Sequence, residues 1–297
     1  MSEEKKRFHL NWVDIVIIVV VLALAAAAIL VRNMITGEEQ RETYTMRFTA
    51  EAQRIELEVA ESFKMGEDIY DSSTNEYLGT VVGLDIHPHR HIAYSDSTGK
   101  YTDCDDPLLF DIEIEVEGQG YVDDKDVRME NKVLKIGAPS YLKGKGHAVS
   151  GYVVEINTMD APVPAYSNKG SGSRQITYQI LVSDIRMMSV ESFKKGETLF
   201  EKSTGGLLGV IQDITYEPFR ESKPYQNSVI VAEKPGRYAV TLTMQAMCNE
   251  TDKGYFIDGI TELKVGSKSG DIEKNGIVLA GRYQQTSMEY INILKVE

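Results

Sequence analysis

Cysteine is nearly missing from this sequence: Cys104 and Cys248 are the two it has, 144 positions apart. A disulfide framework is thereby excluded as the main support, so each folded part must rest on a hydrophobic core; whether these two cysteines pair is left open. Histidine is scarce as well, five in 297 residues, and beyond residue 31 only His87, His89, His91 and His147 occur. No nucleophile-elbow, zincin or phosphate-loop motif is present, and no nucleophile, base and carboxylate stand in a catalytic spacing. The reading is a protein that is not an enzyme, with no catalytic residues and no cofactor. Basic residues are outnumbered, 32 against 45 acidic, for a formal charge of -13. Lys5, Lys6 and Arg7 balance Glu3, Glu4 and Asp14 within residues 1–31, so the whole excess lies further on. A body this acidic repels nucleic acid and anionic headgroups, which excludes nucleic acid as a partner. Outside one apolar segment no window keeps a 3.6-residue apolar period, which argues against a helical bundle.

That segment, Ile15 to Val31, is an unbroken apolar run of 17 residues. At roughly 1.5 Å per residue a helix of this length approaches the roughly 30 Å of a bilayer core. The expectation is a transmembrane helix over 13–31 anchored in the bilayer, with Trp12 and Asp14 at its interfacial end. Lys5, Lys6 and Arg7 ahead of it predict a cytoplasmic tail over 1–12, a juxtamembrane linker over 32–43 and everything after it extracellular, that is, a single-pass protein of the cell membrane. A cleaved signal peptide is the competing reading, disfavoured by the length of the run.

What the chain does have is a duplication. Glu61 to Pro88 returns as Glu191 to Pro218 at a constant offset of 130, with 11 of 28 positions identical. The matched box pairs Phe63, Lys64, Gly66 and Glu67 with Phe193, Lys194, Gly196 and Glu197, and Gly79 with Gly209. Such a self-match marks the structural unit. Within the units apolar residues alternate, as in Tyr44 to Ala50, Ile55 to Val59, Asp111 to Val116, Ile176 to Ile180 and Ala239 to Met244, which predicts strands with one wet face. The fold class is mainly β: a transmembrane helix followed by two tandem β-barrel-like domains, over 44–160 and 176–297. Between them Ala161-Pro162-Val163-Pro164 and a Gly/Ser run form a linker over 161–175, which implies domains free to reorient or a long loop ordered by a partner.

A finer repeat places an apolar-Lys-x-Gly box four times, at Phe63, Leu134, Phe193 and Leu263, each followed by a glycine-led strand at Gly79, Gly151, Gly209 and Gly281. Each domain is thus expected to be a pseudo-twofold barrel, with Asn75 and Gly205 at hairpin tips that need positive φ. These boxes, the Ser-Thr-x-x-x-Leu-Gly hairpins and the preceding apolar span resemble the bacterial domain of unknown function 4330. The resemblance implies a single-span envelope protein with tandem β domains and no established activity. The boxes are also similar to those of membrane-fusion adaptors and twin-barrel scaffolds of cell-wall synthesis, although the coiled coil of the latter is missing.

Candidate ligand chemistry is thin. His87, His89 and His91 alternate on an extended segment, weak candidates for a metal site; Pro88 and Arg90 among them favour an exposed loop, and no metal is assigned. Ser62 and Ser192 are read as caps of local backbone. The expected function is a non-enzymatic, membrane-anchored adaptor or scaffold of the cell envelope that binds membrane proteins, with homo-oligomerisation left open. The alternative is a module binding carbohydrate, capsular or cell-wall polymer through Tyr94, Tyr101, Tyr121, Tyr141, Tyr216, Tyr225 and Tyr255.

Overall fold

The structure is a computed structural model and describes residues 12, 42–252, 254–257, 261–263, 278–288 and 290–297. Residues 1–42 form one unit and Thr43–Glu297 a second, compact one. The described residues of Thr43–Glu297 are mainly antiparallel sheet. Its first half runs β1 (Tyr44–Glu56), α1 (Leu57–Ala60), β2 (Asp68–Asp71), β3 (Tyr77–Ser95), β4 (Lys100–Val122), β5 (Val127–Met129), β6 (Lys132–Leu134), β7 (Pro139–Lys143) and β8 (Ala148–Asn157). The strands pair in the order β1-β8-β7-β2-β3-β4, and β4 pairs back onto β1. Those six strands therefore close a barrel, which removes the sheet edges.

The second half repeats the plan with β9 (Arg174–Ile185), α2 (Met187–Ser192), β10 (Thr198–Glu201), β11 (Leu207–Tyr225), β12 (Ser228–Thr251), β13 (Gly254–Ile257), β14 (Thr261–Leu263), β15 (Val278–Ala280), β16 (Gln285–Ser287) and β17 (Tyr290–Val296). Here β16 pairs with β15 and β17 with β9, so these two strands occupy the place of β8. The alternation read in the sequence is the core pattern. Met46, Phe48, Ala50 and Ala52 of β1 face Ile112, Ile114 and Val116 of β4, while Ile176, Tyr178, Ile180 and Val182 face Val240, Leu242, Met244 and Ala246. Cys248 is buried in the second core and Cys104 is exposed on β4; both are free thiols.

The duplication extends to irregularities. Register shifts at Val81/Gly83 and Pro88/Arg90 recur at Ile211/Asp213 and Pro218/Arg220, and the positive φ of Arg54 recurs at Asp184. In both halves the hairpin of β3 and β4, or of β11 and β12, runs on beyond the barrel as an arm. The arms touch: Tyr94 Oη donates to the Pro224 carbonyl at 2.8 Å, and Tyr101 Oη donates to Glu221.

Three expectations are corrected. No helix among the described residues is long and apolar enough to cross a membrane. The described helices α1 and α2 have four and six residues, roughly 6 and 9 Å against the roughly 30 Å required. This overturns the transmembrane helix and, with it, the single-pass membrane location with extracellular domains. The segment 13–31 and Asp14 lie outside the described residues, and Trp12, which is described, is exposed. Second, Leu57 to Val59 is a helical turn, not strand, because the positive φ at Arg54 and a register shift after Ala52 turn the chain off the sheet. Third, the linker is pinned: the Asn168 amide donates to Thr198 Oγ1 at 2.8 Å, the Met247 amide to the Lys169 carbonyl at 2.6 Å and the Ser173 amide to Asn249 Oδ1 at 3.1 Å. Its backbone finds strand partners that composition does not reveal.

One ion pair ties the β5–β6 hairpin to the first barrel. Lys132 Nζ lies 2.5 Å from Asp71 Oδ2, and the Ser73 amide donates to Asp71 Oδ1 at 2.8 Å. Burial alone would raise the Asp71 carboxyl, but Lys132 and Ser73 override it and hold it at about 2. Because the folded value lies below the ordinary carboxylate value of about 3.9, the stability Asp71 adds is present above about pH 4 and lost as pH falls through its folded value. Urea unfolding of Thr43–Glu297 between about pH 5 and 2 is expected to show a loss on the order of 1–2 kcal/mol that Asp71→Asn removes. An unchanged slope in the variant counts against this pairing.

Candidate binding groove

The Lys-x-Gly boxes form one recurring turn. Phe63 is buried under it, Lys64 Nζ donates to the Glu61 carbonyl at 2.5 Å, the Gly66 amide to the Val81 carbonyl at 2.9 Å, and the Val81 amide to the Glu67 carbonyl at 2.9 Å. The second barrel repeats it with Phe193 buried, Lys194 Nζ to the Glu191 carbonyl at 2.6 Å, the Gly196 amide to the Ile211 carbonyl at 2.8 Å and the Ile211 amide to the Glu197 carbonyl at 2.9 Å. The finer repeat holds too, since the Gly137 amide donates to the Val153 carbonyl at 2.8 Å and the Val153 amide to the Ala138 carbonyl at 2.9 Å. Of the fourth box, Lys264, Val265 and Gly266 lie outside the described residues. Ser62 Oγ and Ser192 Oγ donate to the Val59 and Ser189 carbonyls at 2.6 and 2.7 Å, capping the short helices.

The glutamate after each box reaches across to a tight turn. Glu67 accepts the Lys145 amide at 2.6 Å and the Lys64 amide at 3.2 Å, and His147 Nε2 lies 3.2 Å from it. Glu197 accepts the Arg282 amide at 2.7 Å and Gln284 Nε2 at 3.3 Å. The turns themselves match, because the Gly144 amide donates to the His147 carbonyl at 3.0 Å and the Gly281 amide to the Gln284 carbonyl at 2.9 Å. Gly281 is therefore the counterpart of Gly144, and not a strand glycine like Gly151. Burial raises both carboxyls, but the amides of Lys145 and Lys64 and the neighbouring His147 bring Glu67 below its ordinary value. In Glu197, more deeply buried, desolvation prevails over the Arg282 amide, Gln284 and Lys135 and pushes the carboxyl up.

Between the box and the turn, the first barrel has an open groove of about 980 Å³, lined by Lys64, Glu67, Asp68, Lys143, Lys145 and His147 among others. On the second barrel the matched ground is filled. Tyr166 stacks on Phe200, the counterpart of Tyr70, with ring centroids 6.2 Å apart, and Asn168 binds Thr198, the counterpart of Asp68. The first barrel supplies the rest. Lys125 Nζ lies 4.5 Å from the Phe200 ring centroid. Ile136 forms a parallel bridge with Gln284, its amide donating to the Tyr283 carbonyl at 2.6 Å and its carbonyl accepting the Gln285 amide at 3.0 Å. Lys135 Nζ donates to the Gly281 carbonyl and, at 2.9 Å, to the Lys125 carbonyl, and pairs with Asp126 Oδ1 at 2.9 Å. Sequence reasoning treated the four box lysines alike; Lys64 and Lys194 close local turns at the surface, whereas Lys135 is buried between barrels.

The three histidines do not form one cluster: His87 Nε2 lies 4.0 Å from Asp111 Oδ2, on the same carboxylate as His89, while His91 stands apart. His89 is buried with Nδ1 2.8 Å from Asp111 Oδ1, which also accepts the Arg54 amide at 2.9 Å, so the pair braces the bend in β1. His91 is exposed, because the register shift between Pro88 and Arg90 breaks the alternation. Among the described residues no three His, Cys, Asp or Glu side chains gather to hold an ion. Of the tyrosines, Tyr94 and Tyr101 are committed to the opposite arm.

A family model described as a domain of unknown function (DUF4330) matches residues 4–157, just over half of the chain, and stops where β8 ends. No curated protein and no solved structure matches.

Proposed function

This chain belongs to the DUF4330 family, whose description carries no activity, and we propose from its geometry that it is a non-enzymatic adaptor or scaffold that holds an extended protein segment in the groove of its first barrel. The observation that carries the reading is the contrast between the two matched grooves. On the second barrel the groove holds polypeptide, gripped mainly through backbone amides and carbonyls, and on the first barrel the same turn and box frame space that is open among the described residues. Recognition of this kind takes affinity from main-chain bonds and selectivity from the side chains alongside. Glu67 is occupied in fixing the Lys145 and Lys64 amides, so its role is to hold the groove's shape, not to transfer protons.

A photo-crosslinking residue in place of Met65, which is exposed at the groove, tests the reading in the full chain in cells. Defined protein adducts from Met65, and few from Leu108, which is more exposed but lies outside the groove, are expected. No protein adduct from Met65, or from Lys145 across the groove, would leave the binding reading without support.

A further inference from the structure

The chain itself shows what such a groove takes. Beside Tyr166 and Asn168 of the linker, the second barrel's groove holds the segment after β6, where Leu134-Lys135-Ile136-Gly137 leaves the first barrel. The second barrel carries the same sequence pattern at the end of β14, Leu263-Lys264-Val265-Gly266. Leu134 and Leu263 are both fully buried in their own cores, which fixes the two segments as counterparts. One copy of the chain thus has one such segment seated in one groove, with a second groove open among the described residues of the first barrel and a second copy of the segment's sequence pattern on the second barrel.

We propose that the open groove of the first barrel receives the Lys264-Val265-Gly266 segment of a second copy of this chain, repeating between molecules the contact that joins the barrels within one. By the internal template, Lys264 would donate to the Gly144 and Lys145 carbonyls, as Lys135 does to those of Gly281 and Arg282. Val265 would pair along Gly146 and His147, as Ile136 does along Tyr283 and Gln284. The contact joins different surfaces of identical chains, so it is heterologous: it extends head to tail until a ring closes or an open filament forms.

The inference rests on the adaptor reading and names its partner. Two differently tagged full-length copies are co-expressed, one carrying the photo-crosslinker at Met65, and adducts are mapped by mass spectrometry. The expected result is a mixed-tag adduct joining Met65 to the peptide around Lys264, reduced about tenfold by Lys264→Glu in the donor copy, because a cation aimed at carbonyls is replaced by an anion. Lys100→Ala, at an exposed position of β4 outside the groove, serves as a check on expression. Adducts solely with other proteins, or within a single copy, overturn the self-assembly proposal while keeping the binding reading. An absence of protein adducts removes both.

Discussion

Replacing Gly79 by alanine is expected to destabilise the first barrel by on the order of 4 kcal/mol, at the upper end of what single substitutions do. Gly79 opens the glycine-led strand opposite the Lys-x-Gly turn, at the point where β3 crosses closest to β4. A Cβ there would stand 2.1 Å from the Glu117 carbonyl oxygen and 2.7 Å from its carbon, both backbone atoms in the middle of a paired strand, and φ is +147°. Neither a rotamer change nor a small shift relieves that contact, so β3 must leave β4 or the barrel must open. Gly66, in the box itself, is the control. Its φ is +77° but a Cβ would meet nothing within 4 Å, so Gly66→Ala carries the left-handed penalty alone, roughly 1–2 kcal/mol. Urea unfolding of Thr43–Glu297 followed by circular dichroism separates the two. Equal losses at the two positions would mean that conformational strain, not backbone proximity, explains the glycine-led strand.

How much of this was legible follows from which interactions are local. The offset of 130 extends to features no residue identity signals, such as the positive φ shared by Arg54 and Asp184. Asn75 and Gly205 adopt the positive φ expected of their hairpin tips, since turn chemistry acts within a few residues. Gly281 was misplaced because spacing was the guide. Leu134 precedes its turn glycine by 10 residues and Leu263 by 18, so the added chain moved Gly281 into the register expected for a strand glycine. The groove was not legible at all. Lys64 and Lys135 have the same immediate neighbours in kind, and what buries Lys135 is the second barrel's turn 146 residues away. Composition likewise marked the linker as mobile, whereas its bonds to β12 depend on the finished sheet.

Lys135→Ala is expected to cost about 3 kcal/mol and to uncouple the barrels, because removing one member of a buried polar set leaves the others stranded. The Lys135 ammonium satisfies the Gly281 and Lys125 carbonyls and pairs with Asp126, which keeps Arg128 as its remaining cation. Burial pulls the Lys135 ammonium below its ordinary value, against Asp126 and Glu197, so the buried charge is held at a cost that those partners offset. Without it Glu197 loses a counter-charge and its carboxyl, already raised by burial, rises further. A carboxyl whose folded value is raised contributes stability that is complete below the unfolded value of about 4.3 and is lost as pH rises through the folded value. The Lys135→Ala protein is therefore expected to lose stability more steeply than wild type as pH rises from about 4.3 towards neutral, and adding Glu197→Gln removes the excess slope. Differential calorimetry reads the uncoupling directly. One transition in the wild-type Thr43–Glu297 unit should become two in the variant, as each barrel melts on its own core. Lys64→Ala, whose ammonium bonds only the carbonyl of an exposed turn, should change stability by no more than about 0.5 kcal/mol. A Lys135→Ala protein that melts like wild type would show that the barrels are joined by the arms and the linker, and that the Lys-x-Gly contact is not what holds one barrel to the next.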